Sequence, residues 1–68
     1  MNVPSLAMRI RTLLDSNVIY DEHNDTVKRV YMSRGKWYYI TGRGESFEIE
    51  GTKFYVYNGE EPEEITAE

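Results

Sequence analysis

The sequence predicts an α+β fold in which an N-terminal helix packs on a four- to five-stranded antiparallel meander sheet. Two observations carry that prediction. Apolar residues recur with a helical period from Ser5 to Leu14, and then with a period of two from Val18 to Tyr57, the patterns of an amphipathic helix and of half-buried strands. The same strands curled into a small open β-barrel with one helix also satisfy the pattern, because many extended positions carry large apolar groups on both sides. The helix-covered sheet accounts better for a single apolar helical stripe.

Leu6, Ile10, Leu13 and Leu14 form that stripe. Ser5 can cap the amino end, or Pro4 can open the helix, since its fixed φ and missing N–H suit a first turn. Asp15-Ser16-Asn17 ends the pattern with side chains that compete for backbone hydrogen bonds. A short strand, Val18 to Tyr20, leads into the polar turn Asp21 to Asp25. Val27 to Ser33 and Lys36 to Thr41 then make a hairpin through Arg34-Gly35. In that register Val30, Met32, Trp37 and Tyr39 share the core side, while Arg29, Tyr31, Lys36, Tyr38 and Ile40 share the other, because unpaired burial of Arg29 and Lys36 would be costly.

Gly42-Arg43-Gly44 makes the next reversal. Glu45 to Glu50 and Lys53 to Tyr57 read as a second hairpin around Gly51-Thr52, pairing Glu50 with Lys53, Ile49 with Phe54, Glu48 with Tyr55 and Phe47 with Val56. Phe47, Ile49, Phe54 and Val56 then face the core together. Asn58-Gly59 stops the strand. Residues 1–58 are therefore expected to form a single domain and residues 59–68 an acidic, flexible tail.

A chain of 68 residues buries only about 60% of the surface it exposes when unfolded. It contains no cysteine, so neither disulfides nor thiolate metal sites support it, and a homodimer is one remaining source of stability. No long apolar run or leader pattern marks it for a membrane or for export, so a cytoplasmic location is expected.

The net charge of −4 hides an asymmetry: residues 1–44 carry seven Lys/Arg against four Asp/Glu, a balance of +3, and residues 45–68 carry one against eight, a balance of −7. The split is that of a basic binding surface beside an acidic segment, or of two solvated faces that attract within the fold.

Motifs for catalysis are absent. His23 lies in Asp21-Glu22-His23-Asn24-Asp25, but the glycine and glutamate positions of a calcium loop are occupied by Thr26 and Met32. Neither Ser5, Ser16, Ser33 nor Ser46 sits in a nucleophile elbow. Gly42-Arg43-Gly44 lacks the context of a dinucleotide fingerprint, and Glu45, Glu48 and Glu50 lack a cleft for glycoside chemistry. The expectation is a non-enzymatic protein without cofactor or metal.

Two surfaces remain. Tyr31, Tyr38, Tyr55 and Tyr57 are expected on one face of the sheet with Arg29, Lys36, Glu48 and Lys53, a mixed-sign, tyrosine-rich patch suited to a protein partner better than to nucleic acid. Arg29, Tyr31, Lys36 and Tyr38 alone form a basic, aromatic set of the kind that binds single-stranded nucleic acid, with bases on rings and cations along phosphates. Glu60, Glu61, Glu63 and Glu64 could imitate a phosphate backbone. The expected function is a small interaction protein that binds and modulates, as an inhibitor or regulator, another macromolecule. Its size and charge are those of accessory proteins of phages and plasmids. The alternative is a single-strand binder.

Overall fold

The computed structural model of the chain describes residues 2–67, which form one helix and six strands. The fold is α+β and mostly sheet. Helix α1 (Val3–Leu13) begins earlier than its apolar stripe implies, because its cap is Asn2 and not Ser5. The Asn2 side-chain oxygen accepts the Ser5 N–H at 3.1 Å, and Pro4 occupies the first turn, where no intrahelical donor is needed. Leu6, Ala7 and Ile10 are buried, and Leu13 and Leu14 pack against the same core. The chain leaves the helix through Asn17, whose N–H and side-chain amide both donate to the Leu13 carbonyl.

The strands are β1 (Ile19–Asp21), β2 (Val27–Ser33), β3 (Lys36–Thr41), β4 (Ser46–Glu48), β5 (Phe54–Asn58) and β6 (Glu61–Ile65). They divide into two three-stranded antiparallel sheets, ordered β1-β5-β6 and β2-β3-β4, where the sequence pattern suggested one meander. The Tyr20–Thr26 bridge joins them. Leu6 and Ile10 from the helix meet Ile19 and Phe54 from one sheet and Val30 and Tyr39 from the other in a common core, with Ile49 and Ile65 completing it.

The first hairpin has the expected register, with Met32 opposite Trp37, Tyr31 opposite Tyr38 and Val30 opposite Tyr39. Arg34 and Gly35 both have positive φ, 53° and 79°, as a type I′ turn requires. A bulge between Val27 and Arg29 inverts the parity of β2, so that Val27 and Val30 are both buried although three positions apart. Met32, expected in the core, lies next to the closed end of the hairpin, beside the Ser33–Lys36 pair, and is 54% exposed.

The second expected hairpin does not form. β4 pairs with β3, placing Tyr38 opposite Glu48 and Tyr39 opposite Phe47, while β5 pairs with β1 and β6. The Thr52 N–H closes a turn onto the Ile49 carbonyl at 3.0 Å with Gly51 at φ +83°, and this turn hands the chain from one sheet to the other. Ile49 and Phe54 are buried as expected, but Phe47 sits on a sheet edge and is 41% exposed.

The carboxyl-terminal segment is also corrected in part. Glu61–Ile65, expected to be loose, is paired along its length with β5, and Ile65 is only 6% exposed. Pro62 is accommodated because β6 is an edge strand, where a missing donor breaks no second ladder. Residue 68, the last of that segment, lies outside the described residues.

Candidate interaction surface

Antiparallel pairing sends alternate side chains of β2 and β3 outward. The outer face of this sheet therefore carries Arg29 and Tyr31 from β2, with Lys36, Tyr38 and Ile40 from β3, and β4 adds Ser46 and Glu48 beside Ile40 and Tyr38. Tyr31 and Tyr38 stack, with ring centroids 5.5 Å apart and planes 20° from parallel. The Arg29 guanidinium lies 5.7 Å from the centre of the Tyr31 ring, within cation–π range. The Tyr31 hydroxyl and Ser46 Oγ are hydrogen-bonded. Both rings are half-buried, whereas Arg29 and Lys36 are exposed.

The expected four-tyrosine face is divided. Tyr55 and Tyr57 belong to β5 in the other sheet, where Tyr55 lies opposite Tyr20 on one side and Glu64 on the other, and Tyr57 lies opposite Pro62. The parity of each pair is as read from the sequence, but the strands that carry them are not neighbours. Tyr20, which sequence reasoning did not single out, joins the second pair: its ring meets that of Tyr57 edge-on at 5.4 Å. Alternation of hydrophobic residues reports faces and not strand partners, so it held no signal for this grouping.

The acidic residues are divided as well. Glu61, Glu63 and Glu64 are exposed on β6, and Glu60 is exposed in the turn before it. Glu64, opposite Tyr55, lies on the outer face, and Glu63, opposite Val56, on the reverse. The carboxylates thus belong to the sheet that does not contain Arg29 and Lys36. In contrast, residues 26–44 contain five Lys/Arg and no Asp/Glu. One of these cations is engaged: Arg43 pairs with Asp25 at 3.1 Å and Glu45 at 3.0 Å.

The Asp21–Asp25 turn is built around the Asp21 side chain. Asp21 is 2% exposed, and its Oδ1 accepts the N–H groups of His23 at 3.0 Å and Asp25 at 2.9 Å, while Oδ2 accepts the Tyr39 hydroxyl at 2.7 Å. Burial pushes the Tyr39 phenol well above its ordinary range, and the bond to Asp21 and its charge reinforce the shift. Asp21 therefore organises structure, and His23 is exposed beside it. Among the described residues, no group of three or more His, Cys, Asp or Glu is placed to hold a metal ion.

A hollow of about 640 Å³ opens between the helix start and the first hairpin, lined by Pro4, Met32, Lys36, Trp37 and Glu50. The buried Trp37 Nε1 has no hydrogen-bond partner. No helix among the described residues is long and apolar enough to cross a membrane. Comparison with protein-family models, with curated proteins and with solved structures finds no match.

Proposed function

We propose that the protein is a non-enzymatic interaction module that binds another protein and modulates it, as an inhibitor or regulator, through the outer face of the β2-β3-β4 sheet. The observation that carries this reading is the gathering of Arg29, Tyr31, Lys36 and Tyr38 on one face around a stacked tyrosine pair. Tyrosine and arginine suit interfaces because each offers large contact area with a polar end that tolerates water in the free state. Tyr31 is stacked on Tyr38 and carries Arg29, so what it offers a partner is edge and charge more than an open ring face. The partner is expected to be acidic at the contact. It is also expected to differ from this chain, since a two-fold dimer through this face would bring Arg29 and Lys36 of both copies into one interface.

A second reading, single-stranded nucleic-acid binding through the same four residues, is favoured by one observation, that the acidic strand β6 lies in the other sheet, and opposed by Glu48, which β4 sets beside Tyr38 on this face. The two readings differ in their response to salt. If phosphates are the target, oligonucleotide affinity falls steeply as salt rises. The favoured reading predicts no oligonucleotide binding even in dilute salt, together with capture of a protein from host lysate that resists nuclease and is lost in the Tyr31→Ser/Tyr38→Ser variant. Unchanged circular dichroism of that variant separates loss of contact from loss of fold. Undiminished capture by the variant contradicts the reading.

A further inference from the structure

The outer face of the β1-β5-β6 sheet holds a different hollow, of about 320 Å³, walled by Tyr20, Tyr55, Tyr57 and Pro62 and edged by Asp21 and Glu22. We propose that this hollow is a recognition pocket for an arginine side chain of a partner polypeptide.

Three features point to that occupant. Tyr20 and Tyr57 meet edge-on at 81° with centroids 5.4 Å apart, so the rings close on one another, and a cation in the hollow would lie against the ring faces they leave open. None of the lining side chains is cationic. Glu22 lines the hollow, and Glu64, outside the lining, lies directly opposite Tyr55 on the same face. Glu22 Oε1 accepts the Lys53 backbone N–H at 2.9 Å, which fixes the side chain at the edge of the hollow and leaves its second oxygen for a ligand. The volume exceeds what a small ammonium head needs. A planar guanidinium on a three-carbon stem fits better, because it can stack on one tyrosine while its N–H groups reach a carboxylate. The stem would lie against Pro62.

This surface is separate from the basic face, and its test is independent of that reading. The ¹⁵N-labelled full chain is titrated with acetyl-Gly-Arg-Gly-amide and with the same peptide carrying citrulline, which keeps the shape of arginine without its charge. The expected result is saturable shifts of the Tyr20, Tyr55 and Tyr57 amides with the arginine peptide in the millimolar range, weaker at high salt, and at most marginal shifts with citrulline. Glu22→Gln keeps the oxygen that accepts from Lys53, and Tyr57→Leu keeps an apolar wall at an exposed position. Each is expected to weaken binding about two- to fivefold. Equal binding of the citrulline peptide, shifts confined to residues 27–41, or no shift at tens of millimolar peptide would each overturn the proposal.

Discussion

Asp21 and Tyr39 show how a polar pair can serve a small core. The carboxylate accepts two backbone N–H groups and one phenol, and with these bonds made its burial is tolerable. Asp21→Ala leaves three donors without their acceptor and is expected to cost about 3 kcal/mol of stability in urea denaturation. Asp21→Asn keeps an oxygen for the backbone and is expected to cost less than half of that. Tyr39 supplies a pH dependence whose sign follows from its raised phenol. In the unfolded chain tyrosine ionises near pH 10, whereas the folded protein resists that ionisation. The stabilisation from keeping Tyr39 protonated is complete below about pH 10 and is lost as the pH rises further. Denaturation followed from pH 9 to 12 should show this decline, and Tyr39→Phe should remove its share of it while lowering stability at neutral pH. A decline as steep in Tyr39→Phe as in the natural chain would assign it elsewhere.

At the scale of the elements, β6 gives the clearest prediction. Ile65→Ala deletes buried volume and is expected to cost about 2–4 kcal/mol, whereas a loosely attached tail would register no change in a denaturation midpoint. Gly51→Ala, forced to adopt φ +83°, should cost about 1–2 kcal/mol. What was legible in the sequence was local. The helix stripe, the Arg34-Gly35 turn and the register of β2 on β3 follow from spacing and turn chemistry within a few residues. The β6 strand was not legible, since four of its five residues are Glu or Pro and only Ile65 carries an apolar signal; its pairing is a matter of backbone hydrogen bonds on an edge. The partnering of β4 and β5 failed for another reason. Phe47, Ile49, Phe54 and Val56 alternate inward whether the Gly51 turn closes a hairpin or passes between sheets, so period two is satisfied by both topologies. The bulge at Lys28 was equally silent, and it alone explains why Val27 is buried.

Over the whole molecule, the charge asymmetry of the sequence becomes a partial division between sheets, since β4 keeps Glu48 on the face of Arg29 and Lys36. Arg29 and Lys36 stand beside Tyr31 and Tyr38 on one outer face, and Glu64 stands beside Tyr55 and Tyr57 on the other. The first face is mainly positive, with Glu48 beside Tyr38 as its one strand carboxylate, and the second carries Glu64 without a strand cation, so the two faces favour partners of different charge. Four of the six candidate residues, Arg29, Tyr31, Lys36 and Tyr38, share a face because they lie within one hairpin, while Tyr55 and Tyr57 are separated from them by a topology that parity cannot report. The most direct test of the account is affinity capture from host lysate, with nuclease, by the natural chain and by two charge variants. The expected result is a captured protein that is lost in Arg29→Glu/Lys36→Glu and retained in Glu22→Gln/Glu64→Gln. Capture that survives reversal of Arg29 and Lys36, or that vanishes on nuclease treatment, would contradict it.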